Sequence, residues 1–194
     1  MRVIAGQFRS RPLRSLSGMD IRPTSDRLRE TLFNVLTAGN PEALAGTVWL
    51  DLYAGTGAVG IEALSRGAGM VYFVESSKAA ADLIVANLKS LGIIAGFEII
   101  RSGAVKSLAQ LNRVRADFVF LDPPYRLREE YGLVLNALAA SETVLRSSVV
   151  IAEHERRFDP GEAFGRLHRE RKLEQGDAVL SFYSSRESVD SVTL

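Results

Sequence analysis

The sequence has no cysteine among its 194 residues. That excludes disulfides, thiolate nucleophiles and cysteine-ligated zinc. Histidine is nearly as scarce: His154 and His168 are the only two, too few for a histidine-built metal cluster or a histidine triad, and no metal is expected. No apolar run approaches the ~18–20 residues that cross a bilayer, so no membrane partner is expected. Met1 leads into Arg2-Val3-Ile4-Ala5-Gly6 rather than a secretory signal, and the expected location is the cytoplasm. Repeats and low-complexity tracts are missing as well. What remains is a globular balance, 46% hydrophobic and 24% charged, which excludes a disordered chain, a collagen and a coiled coil. One domain is the default at this length. Such a chain buries roughly 70% of its unfolded surface and can fold without a metal or cross-link.

Charge is nearly balanced in sum but not in place. The formal net charge is +1, yet residues 1–30 hold seven arginines (Arg2, Arg9, Arg11, Arg14, Arg22, Arg27, Arg29) against Asp20, Asp26 and Glu30. Twenty of the 24 basic residues are arginine, whose planar fork suits phosphate and stacks on bases. A basic N-terminal arm on a near-neutral body points to an anionic partner at that end. A solvated arm would account for the same charges.

The first 22 residues, with Gly6, Pro12 and Gly18, predict a short strand or hairpin and a loop. Pro23-Thr24-Ser25 predicts a helix start, and Leu28, Leu32, Val35 and Leu36 give that helix an apolar face. From residue 46 strands and helices alternate. Strands are predicted at 47–53, 70–75, 97–101, 116–121 and 148–153. Helices are predicted at 58–66, 77–91, 104–111 and 129–143. Gly176-Asp177 then predicts a hairpin between strands at 166–174 and 178–184. The fold class implied is α/β, a doubly wound, mostly parallel, seven-stranded sheet with a C-terminal antiparallel hairpin and a small N-terminal basic extension. Residues 1–40 would pack as arm and helix on a core domain of 41–186, with 187–194 a frayed tail. Ligands in such sheets sit at the carboxyl ends of the strands.

Two motifs fall at those ends. Gly55, Gly57 and Gly60 make a G-x-G-x-x-G between a strand and a helix, with Glu75 closing the next strand. The glycines allow close backbone approach and aim helix N–H groups at a ligand, while a carboxylate at Glu75 suits ribose hydroxyls. This much fits a nicotinamide dinucleotide as well as S-adenosylmethionine. Asp51 discriminates between them. A carboxylate in a buried strand costs several kcal/mol (~3–5) unless it is paired. A ligand ammonium would offset that cost, and the methionine part of S-adenosylmethionine has one. Asp51 could instead cap the turn or pair with an internal arginine. The second motif is Asp122-Pro123-Pro124-Tyr125. Two prolines remove N–H donors and stiffen the loop. The Asp122 carboxylate and Pro123 carbonyl then match the two hydrogens of an exocyclic amino group, and Tyr125 offers a face for a base. Alone, this could be a tight strand-exit turn with a surface tyrosine.

Together with Arg2–Gly6, Arg9, Arg11 and Leu13, and with the run Arg22-Pro23-Thr24-Ser25-Asp26-Arg27-Leu28-Arg29-Glu30-Thr31-Leu32-Phe33-Asn34, these motifs resemble a family. It is the bacterial 16S rRNA guanine-N2 methyltransferases (RsmD family), class I S-adenosylmethionine-dependent enzymes. The resemblance runs from residue 2 to about 184. It implies that Asp51, Ala54, Gly55, Thr56 and Gly57 line the methionine part of S-adenosylmethionine. Glu75 would take the ribose, with Ser76 beside it, and Ser102 and Ala104 would flank the adenine. Asp122, Pro123 and Tyr125 would hold the target base as catalytic residues. Arg9, Arg11, Arg22, Arg27 and Arg29 would grip RNA phosphates, and Arg22–Asn34 would close over cofactor or target. The partner implied is ribosomal RNA, within a 30S subunit or its assembly intermediate. One departure stands out: the adenine position often carries Asp or Asn, and here the text reads Arg101-Ser102-Gly103-Ala104. The competing readings are an adenine-N6 or protein-glutamine methyltransferase, a nicotinamide-dependent oxidoreductase and a non-catalytic RNA-binding module.

Overall fold

A computed structural model describes residues 1–15 and 25–186. Helix α1 (Asp26–Leu36) starts at Ser25, whose hydroxyl accepts from the Leu28 N–H at 3.1 Å, the N-cap expected of serine. The remaining elements follow in alternation: β1 (Val48–Leu52), α2 (Ala58–Ser65), β2 (Met70–Val74), α3 (Lys78–Leu91), β3 (Phe97–Ile100), α4 (Ala104–Gln110), β4 (Ala116–Leu121), α5 (Glu129–Ala140), β5 (Val144–Glu155), β6 (Ala163–Phe164), β7 (Leu167–Gln175) and β8 (Ala178–Ser185). Among the described residues no helix is long and apolar enough to cross a membrane.

The strands form one sheet in the order β3-β2-β1-β4-β5-β8-β7-β6. β3 through β5 are parallel, and β8 runs antiparallel between β5 and β7. The doubly wound sheet with its terminal hairpin is therefore present, with eight strands rather than seven. The extra strand, β6, has two residues, too short to carry an alternating pattern. β5 also begins at Val144, four residues before the expected start. It pairs with Ala116 there and shifts register before Phe118, and a bulge of that kind breaks the alternation that marks a strand.

Both faces of the sheet are covered. Trp49, Phe73, Phe120 and Ile151 point to a core shared with α1, α2 and α3; Leu50, Leu52, Val119 and Leu121 point to one shared with α4 and α5. The N-terminal arm is part of the first core. It folds back on itself, Arg2 bridging Pro12, and buries Val3 and Leu13, about 1.5–3 kcal/mol each. Glu62 of α2 accepts the Ile4 and Ala5 N–H groups at 2.7 and 2.9 Å. Gly6 lies so close to Ser65 that a Cβ would sit 1.8 Å from its carbonyl oxygen. The chain leaves β1, winds outward through β2 and β3, and returns to β4 on the other side of β1. A crevice opens at such a switch point, at the carboxyl ends of β1 and β4.

Candidate active site

One wall of the crevice is the loop from β1 to α2. Asp51 is 1% exposed, and its Oδ2 accepts from the Gly60 N–H at 2.9 Å. Gly57, the N-cap, has no side chain for that task, so a strand carboxylate caps the helix in its place. Gly60 lets the helix pack on the sheet: a Cβ there would meet Phe73 at 2.3 Å and Val71 at 2.7 Å. The Glu75 carboxylate accepts from Gly55 N–H at 2.9 Å and Ser77 N–H at 2.7 Å, which ties the end of β2 to the glycine loop. Burial raises the Asp51 pKa to about 7; the Gly60 bond opposes the shift and nearby Glu75 adds to it. Asp51 thus does cap the turn, and the cap does not fully offset the burial of its charge.

Beside this wall, Thr56 is buried and its carbonyl accepts from Asn87 Nδ2 at 3.0 Å. Ala54 is buried and donates its N–H to Val74 at 3.0 Å. Ser76 is exposed, Ser102 is half-buried after β3, and Ala104 is buried in the first turn of α4. The cofactor residues expected from the sequence therefore all lie on three neighbouring strand ends.

The facing wall is the loop from β4 to α5. Burial of the Asp122 carboxyl, then Glu153 and Asp51 nearby, push its pKa well above the carboxylate range. Pro123 is buried, Pro124 exposed and Tyr125 half-buried. A turn closed by the Leu127 N–H on the Pro124 carbonyl at 2.7 Å shapes the loop. Tyr53, at φ +62°, reaches from the end of β1 to donate its hydroxyl to Glu130 in the first turn of α5. This side-chain hydrogen bond ties one wall to the other.

Among the described residues, the expected RNA-binding arginines take different settings. Arg22 lies outside the described residues. Arg27 is exposed on α1. Arg9 is exposed near the arm's turn, beside the Ser65 end of α2, and Arg11 donates to the Ser90 carbonyl at the far end of α3 at 3.0 Å. An eight-residue helix is ~12 Å long, so that end is remote from the crevice. Arg29 departs from expectation altogether. It is fully buried, and its guanidinium donates to the Arg2 carbonyl at 2.6 Å and to Asp26 at 2.8 Å. It fastens the arm and is closed to a phosphate. Helical spacing could have warned of this, since Arg29 is adjacent to the buried Leu28 and three residues before Leu32.

Four features escaped the sequence reading. Asn87 of α3 grips Arg14 through backbone N–H and carbonyl (2.8 and 3.1 Å) while holding Thr56, and so couples the arm to the glycine loop. Glu62 is the arm's other anchor. Glu153, at the crevice end of β5, is 4% exposed; a carboxylate ending an apolar strand was its signal, the same signal that marked Asp51. Arg126 and Arg157 are exposed on the crevice side, in loops drawn together by the Arg128–Glu155 ion pair at 3.2 Å.

Comparison with known proteins places this architecture. The family model described as conserved hypothetical protein 95 matches residues 1–184. The chain is similar to "Putative rRNA methyltransferase YlbH" of Bacillus subtilis, 32% identical over 188 residues, 96% of this chain and 100% of that one. It is 40% identical over 166 residues to "Ribosomal RNA small subunit methyltransferase D" of Haemophilus influenzae, covering 79% and 84%. Among solved structures, "Putative methyltransferase yhhF" from Escherichia coli superposes with a TM-score of 0.82 at 28% identity, covering 97% of this chain and 99% of that one.

Proposed function

The chain belongs to the conserved hypothetical protein 95 family, and from that premise we propose that it methylates the exocyclic N2 amino group of a guanine in small-subunit ribosomal RNA, using S-adenosylmethionine. Its relatives carry rRNA methyltransferase names, which supports the broader activity. The observation that carries the finer reading is the Asp122–Pro123 acceptor pair, set in a proline-stiffened loop across the crevice from the glycine loop.

The residues fit the cofactor. Asp51 is a buried carboxylate whose pKa burial raises to about 7, and an ammonium group there would favour its ionised form. Asp51, Ala54, Gly55, Thr56 and Gly57 would hold the methionine part. Each Glu75 oxygen gives one lone pair to a backbone N–H, which leaves acceptor capacity for two ribose hydroxyls. Ser76, Ser102 and Ala104 would lie along the adenosine. A dinucleotide would leave the Asp51 charge without a ligand cation and the Asp122–Tyr125 loop without a task. S-adenosylmethionine supplies a methyl group already activated on a sulfonium.

The protein's own work is alignment and charge. The lone pair of a guanine amino nitrogen is delocalised into the ring. The Asp122 carboxylate and Pro123 carbonyl accept its two hydrogens and fix the nitrogen's direction, a near-attack arrangement. They also stabilise positive charge as it grows on nitrogen. Asp122 is more basic than an ordinary carboxylate because burial and its acidic neighbours disfavour its charge, which suits it to take the departing proton. Tyr125 supplies a stacking face for a base drawn out of its helix. Arg9, Arg11 and Arg27, all exposed, are available to phosphates of the RNA, within a 30S particle or its precursor.

The test is mass mapping of small-subunit rRNA nucleosides from cells with and without the protein. One N2-methylguanosine is expected to vanish and to return with the wild-type chain. Loss of a methylated adenosine instead, or of no nucleoside, overturns the reading.

A further inference from the structure

We propose that Glu153 accepts the ring N1–H of the target guanine, and so makes the site choose guanine over adenine. This rests on the amino-methylation reading above.

The placement follows from strand register. Leu121 of β4 is paired with Ala152 of β5, so Asp122 and Glu153 are the next residues along two neighbouring parallel strands, ~4.8 Å apart. Phe120 and Ile151, one residue before that pair, share one core face. Side chains alternate along a strand, which returns Glu153 to that face, the face of Asp51. The Glu153 backbone is fixed on both sides. It pairs with Leu180 of β8, and its carbonyl accepts the Tyr131 hydroxyl at 2.7 Å. Its acidic influence reaches Asp122. The regular sheet therefore holds a second carboxylate beside the amino-group acceptor, on the side of β4 away from the glycine loop.

That side is where the base must extend. The amino nitrogen has to face the glycine-loop wall, so the ring lies toward β5. In guanine the amino group neighbours N1–H, a donor. In adenine it neighbours an unprotonated N1, an acceptor. A carboxylate at that position completes a run of acceptors for guanine and opposes a lone pair with a lone pair for adenine. Sites built to bond a substrate N–H reject analogues lacking it by large factors, because the buried acceptor is left unpaired.

The test uses an RNA spanning the mapped target nucleotide, with guanine, 2-aminopurine or adenine there. 2-Aminopurine keeps the 2-amino group and lacks N1–H. The wild-type protein is expected to prefer guanine over 2-aminopurine by ~100-fold or more in kcat/KM. Glu153→Gln, whose amide can donate to N1, is expected to lose about 100-fold on guanine and to bring the two substrates within about tenfold. Glu153→Asp keeps the acceptor and is expected to retain the preference at reduced rate. Unchanged S-adenosylhomocysteine affinity by calorimetry certifies the variants as folded. Equal loss on both substrates, or an unaltered ratio in Glu153→Gln, overturns the proposal while leaving guanine methylation intact. A wild-type protein that methylates the adenine substrate instead overturns the functional reading itself.

Discussion

On the β1 side of the crevice, Asp51 and Glu75 give carboxylate oxygens to backbone N–H groups of Gly60, Gly55 and Ser77. On the β4 side, Asp122 is followed by Pro123 and Pro124, which have no N–H to offer. The first wall uses its acids to hold its own loop in shape. In the proposed reading the second offers its acceptors to the amino group of the target base. On that reading the difference separates a wall that binds from a wall that reacts, since acceptors that need no reorganisation are the ones that stabilise charge as it develops.

The hardest blow to this division is Asp122→Asn. The amide keeps the size but replaces one acceptor oxygen with a donor and removes the base. Transfer is expected to fall ~10³-fold while S-adenosylhomocysteine binds as before; lost ligand affinity would show the two walls are not separate. Asp51→Asn should do the converse. Its Oδ1 can still accept from Gly60, so the loop survives and only the charge goes. Affinity is expected to fall ~10–100-fold, about 1.4–2.8 kcal/mol. The sign of the pH effect follows from Asp51, raised to about 7 in the free protein. A ligand ammonium favours the ionised form, so wild-type affinity should rise with pH through about 7, and that rise should shrink in Asp51→Asn. Calorimetry from pH 5.5 to 8 reads both.

How the two walls were legible in the sequence differs in kind. The glycine spacing, the carboxylate in the apolar run 48–52 and the Asp-Pro-Pro-Tyr exit are local patterns, and the parallel sheet followed from strand–helix alternation. What stayed hidden depends on contacts far apart in the chain. Arg29 reads as one more arm arginine until α1 packs it against Arg2 and α2. Asn87 reads as a polar residue in α3 until it reaches Arg14, 73 residues away. Glu153 gains meaning only from its register beside β4. β6 was missed because two residues carry no periodicity. Composition located the positive charge in the arm, but folding turned Arg29 inward and placed Arg9 and Arg11 toward the far ends of α2 and α3.

Smaller effects are expected from the charges of the arm and of the crevice rim. Arg126→Glu with Arg157→Glu is expected to weaken RNA binding about tenfold at low salt and to flatten the salt dependence, each lost phosphate contact reducing the slope by about 1. Arg9→Glu with Arg11→Glu also removes positive charge, but from the end remote from the crevice. It should weaken binding to a full particle more than to a short RNA spanning the target. Equal effects of the arm pair on both substrates would place the arm against the target strand itself.

The mildest expected effect concerns the bond that joins the walls. Tyr53 holds φ +62°, a left-handed conformation that costs a non-glycine residue ~1 kcal/mol, and from there its hydroxyl reaches Glu130. Burial, then Glu130, raises its pKa, so the phenol stays protonated and keeps donating across the working pH range. Tyr53→Phe removes the donor and leaves Glu130 to water in a half-exposed setting. The cost is that of one hydrogen bond to a charged group, about 1.5–3 kcal/mol at most, read as a shift in the midpoint of denaturant unfolding. If the bond also sets the spacing of the walls, kcat should fall several-fold while donor affinity holds. Glu130→Gln retains an acceptor oxygen and should show neither change. A Tyr53→Phe variant with lowered stability and unaltered kcat would mean the walls are positioned by the sheet alone, through the β1–β4 pairing of Asp51 with Phe120.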